Sequence, residues 1–328
     1  MPVTSTGQAM DCLRPATSVI TLADRWDHFL VRWGIKRGGH RVTPGLYALG
    51  NPTEDSPIFV TANYTLSFDA LRAALRGIDG YILALDTNGI NVWCAAGGEL
   101  FSTGELVERI EAAGLHHAVR HRVQTLPKLG APGVAAHEVE QHTGFRVEYG
   151  PVRAADLPAY LRTRQATPEM RRVRFKLRDR LVLIPVEFVY SLPFVLLAAF
   201  LLRNIGLAAS ILAGTALFPI LLPWLPTRDF SSKGLILGAA VALPFAVSRY
   251  LGNAEAVWWW RASRALQDLL ILPPVTAFLA LNFTGSTPFT SRTGVRKEIF
   301  TYIPILAWTF GLGLAWSLIF TLIRALGG

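Results

Sequence analysis

The chain has 328 residues, 51% of them hydrophobic, two cysteines and a formal net charge of +9. An apolar excess that gathers after residue 181 excludes an ordinary soluble enzyme, and two cysteines exclude both a disulfide framework and a resident iron–sulfur cluster, which takes about four thiolates. The charge does not point to nucleic acid, and no such partner is expected: Arg162, Arg164, Arg171, Arg172, Arg174, Lys176, Arg178 and Arg180 sit just before the first long apolar run, where basic residues mark the inner side of a membrane and meet anionic lipid.

Residues 1–40 read as an N-terminal amphipathic segment. Leu22, Trp26, Phe29, Leu30 and Trp33 recur at near-helical spacing, and core packing is the expected use of that face. The first 30 residues lack the basic head and apolar core of a secretory signal, so the soluble half is expected to face the cytoplasm.

Over residues 41–165 apolar runs alternate in type. Strands are expected at 58–61, 81–85, 90–93, 119–125 and 145–149. Helices are expected at 68–75 with Ser67 as cap, at 103–113 with Thr103 as cap and Gly114 as stop, and at 136–143. In the second of these, Glu105, Glu108 and Glu111 read as a solvated face. The alternation predicts a Rossmann-like open α/β sheet, in which ligands bind beyond the carboxyl ends of the strands. Those ends carry Thr61-Ala62-Asn63-Tyr64, Asn91-Val92-Trp93-Cys94-Ala95-Ala96-Gly97, Leu129-Gly130-Ala131-Pro132-Gly133-Val134 and Tyr149-Gly150-Pro151-Val152. No GxGxxG or GxxxxGK[ST] run stands at a strand–helix junction, so a phosphate cradle is not expected. Loops this small suit a broad, flat, largely apolar macrocycle. His116, His117 and His121 lack matching metal ligands nearby, His137 and His142 read as helix-face residues, and Cys12 reads as incidental.

A basic linker, 166–180, leads into a membrane domain, 181–328. Five stretches approach the about 20 apolar residues a span requires: 181–202, 205–225, 234–251, 266–282 and 302–323. The fourth contains Pro273-Pro274 and is the least regular. Arg228, Lys233, Arg292, Arg296 and Lys297 fall on the side of the basic cluster. Arg203, Arg249, Arg261, Arg264 and Arg324 fall opposite, giving an inside N-terminus and an outside C-terminus. Trp258-Trp259-Trp260 reads as an outer interfacial belt, and Glu187 and Asp268 as near-interface residues. The domain is expected to be an anchor and docking platform.

The run from Asn91 to Gly97 resembles the cap-helix motif of the membrane-bound corrinoid protein of microbial mercury methylation. The likeness continues through Pro44-Gly45-Leu46-Tyr47, Val60-Thr61-Ala62-Asn63-Tyr64, the glycine loops quoted above and Ala166-Thr167-Pro168-Glu169-Met170-Arg171-Arg172. More distantly, the soluble half resembles the corrinoid domain of the corrinoid iron–sulfur protein of acetyl-CoA synthesis. One departure stands out: Gly98 occupies the place where the first family usually has lysine.

The resemblance implies a corrinoid-dependent methyltransferase that takes a methyl group from a one-carbon donor and passes it, through methyl-cobalt(III), to Hg(II). The cofactor it implies is a cobalamin-type corrinoid with its own base displaced and Cys94 as lower axial ligand to cobalt. A thiolate is a soft, strongly donating ligand suited to that place. The corrinoid-binding residues it implies are Thr61, Asn63, Asn91, Val92, Trp93, Cys94, Ala95, Ala96, Gly97, Leu129, Gly130, Ala131, Gly133, Val134, Tyr149 and Gly150. The implied partners are a ferredoxin-like iron–sulfur reductant, a methyl donor (methyl-folate or a carrier protein) and membrane lipids, with the chain in the cytoplasmic membrane. Two alternatives remain open at this point: a corrinoid methyl carrier for a non-mercury acceptor, and a membrane structural or transport protein without corrin.

Overall fold

The computed structural model describes residues 13–252, 255–286 and 292–326; Cys12 lies outside them. The chain divides into two compact units, one of residues up to Val31 and Ile35–Arg174, the other of Arg32–Gly34 and Phe175–Gly328.

The first unit is a six-stranded sheet between two layers of helices. Its strands are β1 (Arg14–Ala16), β2 (Gly45–Leu49), β3 (Ile58–Ala62), β4 (Gly80–Leu85), β5 (Val123–Leu126) and β6 (Arg146–Tyr149), in spatial order β1-β2-β4-β3-β5-β6. β4, β3, β5 and β6 run parallel, whereas β2 is antiparallel to β4. Strict alternation sends Ile58, Val60, Ala62, Tyr81, Leu83 and Leu85 into one core. That core is closed by α3 (Val92–Gly97), α4 (Thr103–Ala112), α5 (Leu115–Ala118) and α6 (Ala136–Thr143). Phe59, Ile82 and Ala84 enter the other core, beneath α2 (Thr65–Ala74) and α7 (Leu157–Thr163). Each fully buried Val, Leu, Ile or Phe side chain among them contributes about 1.5–3 kcal/mol against exposure.

Several sequence expectations change. The segment 90–93 is not a strand. Its β-branched and aromatic residues favour one, but the Asn91 side chain accepts a hydrogen bond from the Cys94 amide and starts α3 instead. Helix α4 begins under Ser102, whose hydroxyl accepts from Glu105 N; the Thr103 hydroxyl accepts instead from Ala135 N. Helix α2 begins at Thr65, which places the expected cap Ser67 inside it. The two antiparallel-side strands, β1 and β2, had no clear signal, and β1 draws the N-terminal segment into the sheet.

Helix α1 (Leu22–Arg32) is fastened by Arg72 of α2. The Arg72 guanidinium meets Asp24 at 2.8 Å and Asp69 at 2.6 Å, and donates to the carbonyls of Thr17 and Val19. Burial pushes the Asp24 carboxyl up, but the Thr21 amide and Arg72 outweigh this and hold it below its ordinary value. A carboxyl whose pKa falls on folding gives its full stabilisation above the ordinary value and loses it as pH drops through the lowered one. Amide exchange across α1 is therefore expected to be slow at about pH 6 and to accelerate at about pH 3, beyond the intrinsic pH effect, with Asp24→Asn removing that difference.

In the second unit four helices are long and apolar enough to cross a membrane: Leu177–Leu201, Phe230–Leu251, Trp258–Gly285 and Thr293–Ile323. The expected second span is the shorter helix Ile205–Leu221, interrupted by a wide π-type turn at Ala213–Leu217. At about 1.5 Å per residue it reaches only about 25 Å, short of a hydrocarbon core of about 30 Å. The count of five is thus not met among the described residues. Arg180 of the basic cluster turns inward and donates to the carbonyls of Pro219 and Ile220 at the end of this short helix. Asp268 pairs with Arg249 at 2.7 Å.

Pro273 and Pro274 do not break their helix. Gly234 and Gly238 let the neighbouring helix approach there: a Cβ at Gly238 would lie 2.7 Å from Pro273 Cα, and one at Gly234 2.6 Å from Ala277 Cα. Small residues four apart allow such backbone contact in lipid. Gly238→Val is expected to separate the pair and lower the unfolding midpoint of the detergent-solubilised chain by several degrees, whereas Gly311→Val, where an added Cβ meets nothing within 4 Å, leaves it unchanged.

Candidate functional site

The chain leaves β3 toward β4 on one side and β5 toward β6 on the other, so the sheet's topological switch point falls between β3 and β5. A cavity of 280 Å³ opens there, at the carboxyl edge. Thr61 forms its floor, Ser67 and Leu71 of α2 one wall, and Pro151 and Val152 another, while Asn91, Val92 and Trp93 close over it from the start of α3.

The loop from β4 to α3 is held from below by Asn63, which is 1% exposed. Its Oδ1 accepts from Thr87 N (3.0 Å), Thr87 Oγ1 (2.9 Å) and Gly89 N (3.0 Å), and its Nδ2 donates to Asp86 Oδ1. Glu105 adds a second tie, accepting from the Asp86 amide at 2.7 Å while paired with Arg109. It is therefore not part of the solvated face expected of α4.

So fixed, the loop presents Asn91. Its Oδ1 caps α3 by accepting from Cys94 N at 3.0 Å, and its Nδ2 donates to Cys94 Sγ at 3.5 Å. Cys94 is half-buried, a free thiol one residue beyond the cavity lining. Ala95 and Ala96 are buried in the core beneath it. At the far end of α3 the amides of Gly98, Leu100 and Phe101 all donate to the Ala95 carbonyl.

Phe101, fully buried, locks α3 to the loop after β5. A Cβ at Gly130 would strike its ring at 2.5 Å, and one at Gly133 would come within 2.1 Å of its carbonyl oxygen and 3.0 Å of Ala96 Cα. Only glycine admits that approach. The Tyr149 hydroxyl donates to the Val134 carbonyl at 2.5 Å, and burial pushes its pKa up, which keeps the donor protonated. A Cβ at Gly150 would meet Thr125 Cγ2 at 2.9 Å.

The sequence candidates thus divide. Thr61, Asn91, Val92, Trp93 and Leu129 line the cavity, with Cys94 beside it. Asn63, Ala95, Ala96, Gly130, Gly133, Val134, Tyr149 and Gly150 build the frame behind it. Gly97 and Ala131 stand in neither group. Sequence reasoning missed Ser67, Leu71, Pro127 and Leu157 as wall residues, and Thr87, Glu105 and Phe101 as supports. Pro127 and Pro151 each lie within two residues of a parallel strand's end, a signal that marks this edge.

The donor set suits a cofactor that carries its own metal. Among the described residues no group of three or more His, Cys, Asp and Glu side chains could hold a bare ion. The Cys94 thiol can supply one soft donor, and the largely apolar lining of the cavity can bury part of a flat ring system.

Comparison with known proteins agrees with the more distant of the two resemblances. Residues 36–161, which run from before β2 into α7, match the family described as CO dehydrogenase/acetyl-CoA synthase delta subunit. Three similar proteins are gamma subunits of an acetyl-CoA decarbonylase/synthase complex. That of Methanothermobacter thermautotrophicus is 30% identical over 169 residues, covering 45% of this chain and 36% of the relative. That of Methanopyrus kandleri is 38% identical over 128 residues, covering 38% and 27%. That of Archaeoglobus fulgidus is 32% identical over 123 residues, covering 37% and 26%. The match spans about a third or less of each relative's length. These descriptions name acetyl-CoA chemistry and not mercury.

Proposed function

We propose that the α/β unit is a corrinoid-dependent methyl-transfer domain, carried in a membrane by the helices that follow it. One observation carries the reading: a half-buried thiol, Cys94, stands on an asparagine-capped turn beside a cavity at the switch point of the sheet, within the stretch that matches the acetyl-CoA synthase family.

When bound, a cobalamin-type corrinoid with its own base displaced supplies a metal centre able to accept and donate a methyl group. The residues of this chain hold it and set its surroundings. The Cys94 sulfur would hold the cobalt. The Asn91 amide, 3.5 Å from the sulfur, orients the thiol and carries one hydrogen bond to it. Thr61, Val92, Trp93 and Leu129, which line the cavity, would cover part of the ring and shield it from water. Asn63, Glu105 and Phe101 fix the height and tilt of α3, and so of the sulfur.

The finer reading rests on the resemblance of the cap run. It makes Hg(II) the proposed methyl acceptor, a methyl-folate or carrier protein the donor, and a separate ferredoxin-like protein the reductant. The basic residues before the first apolar run support a cytoplasmic side for the α/β unit in this reading. Gly98 is the residue that bears on the acceptor. Its φ of −101° is open to any residue, and a Cβ there would lie 3.3 Å from the Cys94 carbonyl. A lysine is thus accommodated with only a slight adjustment.

The test is the visible spectrum of the full chain reconstituted with cobalamin, native and Cys94→Ala. A bound corrinoid whose spectrum changes when the thiol is lost supports the reading; no binding, or a spectrum indifferent to Cys94, overturns it. Methyl transfer to Hg(II) is then compared in native protein and Gly98→Lys. If mercury is the acceptor, both are expected to methylate it, with the lysine form equal or faster. A native chain that transfers methyl to a thiol but not to Hg(II) would favour a carrier for another acceptor.

A further inference from the structure

Helix α1 is built inside out. Leu22, Trp26 and Phe29 recur at i, i+4 and i+7 and so share one face, which the sequence assigns to core packing. The structure turns that face outward. Leu22 is 84% and Trp26 61% exposed, and Trp26 stacks on Phe29 with ring centroids 5.3 Å apart. The face set against the α/β unit is the polar one. Asp24 meets Arg72, His28 Nε2 lies 2.7 Å from Asp69 Oδ2, and Asp27 Oδ1 lies 2.6 Å from Nδ1 of the buried His40. Val31 is the one buried apolar residue of the helix.

A helix at the surface of a soluble domain does the opposite, with its apolar stripe inward and its charges in water. Here the contacts to Arg72, Asp69 and His40 fix the rotation of α1. It cannot turn Leu22 and Trp26 inward without breaking all three. The outer stripe is therefore a fixed apolar surface, of the kind that marks a contact with lipid or protein.

A bilayer is the partner that fits. The chain carries its own apolar helices of spanning length, so lipid is the apolar phase it is tethered to. The residues that end α1 and follow it, Arg32–Gly34, group with those helices. A Cβ at Gly34 would lie 3.1 Å from Val186 Cγ2 and 3.4 Å from the Tyr190 hydroxyl, both on the apolar helix Leu177–Leu201. Arg25 within α1 and Lys36 just beyond it are exposed, and cations so placed suit anionic headgroups. Tryptophan, phenylalanine and leucine on one face are the residues that enter the boundary between headgroups and acyl chains.

We propose that α1 lies in the surface of the membrane, with Leu22, Trp26 and Phe29 entering the lipid and the polar contacts of its other face tying it to the α/β unit. The proposal rests on the reading of the later helices as membrane-spanning and is independent of the corrinoid.

The test uses the full chain in the membranes of the expressing cells, with the photo-crosslinking residue p-benzoylphenylalanine in place of Trp26 in one protein and of Phe200 in another. Phe200, 76% exposed on Leu177–Leu201, reports on the span itself. Irradiation is expected to join both positions to phospholipid, read as the mass of the adduct. With the probe at position 26, Leu22→Glu is expected to lower the lipid adduct about 10-fold or more, because a carboxylate is costly to place against acyl chains. Leu22 is exposed and in the first turn of α1, where a glutamate suits the helix dipole, so the fold is expected to stand. Ala23→Glu, also exposed and one turn from position 26, makes the same comparison should Leu22→Glu fail to fold. Lipid adducts at position 200 but not at 26 would overturn the proposal and leave the spans intact. So would an adduct at 26 to a second copy or another protein, or a lipid yield there indifferent to both carboxylates. No lipid adduct at either position would overturn the membrane reading along with it.

Discussion

Cys94→Ala is expected to abolish methyl transfer, a loss of about 100-fold or more, while the fold survives. Residues that merely orient a metal ligand typically account for about 10–100-fold in affinity or activity, and removal of the proposed ligand is expected to cost at least that much. The thiol is half-buried and outside the packed core, and Asn91 caps α3 through the backbone amide of residue 94, which alanine keeps. The stability change is expected to stay within about 1 kcal/mol. Stopped-flow methyl transfer and chemical unfolding of the same variant separate the two effects. A variant that transfers methyl at the native rate would remove Cys94 from the chemistry. Asn91→Ala is the graded companion: it loses the cap, worth about 1 kcal/mol, and the amide contact to sulfur, and its transfer rate should fall between the other two.

Asn63→Ala is expected to do the reverse, damaging the frame before the chemistry. Its Oδ1 serves three donors, two of them on Thr87, which is fully buried. Truncation leaves buried N–H and O–H groups without an acceptor, at about 1–3 kcal/mol apiece. Because the groups share one loop the costs do not add fully, and a total of about 3–5 kcal/mol is expected, a large fraction of the stability of a typical domain. Amide exchange should be fastest in residues 86–91. Asn63→Asp keeps an acceptor but sets a carboxylate against Asp86, whose Oδ1 lies 3.2 Å from the Asn63 amide nitrogen. It should therefore be destabilised at neutral pH and partly recovered in acid. A stable Asn63→Ala would show that the loop is held in some other way.

The two variants mark how far the sequence could be read. The apolar run Ile58-Phe59-Val60 was legible as a strand and the alternation of strands and helices as an open α/β sheet, whereas the division that sends Ile58, Val60 and Ala62 to one core and Phe59 to the other is seen only in three dimensions. The run around Cys94 was legible because small residues flank one thiol after a strand. The strand expected at 90–93 was not corrected by any local signal: Ile90, Val92 and Trp93 favour extension, and only the Asn91 cap, seen in three dimensions, decides for a helix. Glu105 read as solvated because helical spacing cannot show that the Asp86 amide lies across from it.

By itself, then, the sequence determined most of the strands and helices of the α/β unit, a thiol placed after a strand, and a C-terminal half rich in apolar helices. Periodicity and composition are local quantities and suffice for these. Tertiary structure alone decided which candidates face the cavity and which support it, because Asn63 and Thr61 are near neighbours in sequence with opposite surroundings. It decided that β1 and β2 join the sheet and that Gly130 and Gly133 serve packing against Phe101. It also decided that 205–221 makes a short helix whose end carbonyls are met by Arg180. Each of these is a contact between residues far apart in the chain, and hydrophobic pattern carries no record of partners at that distance.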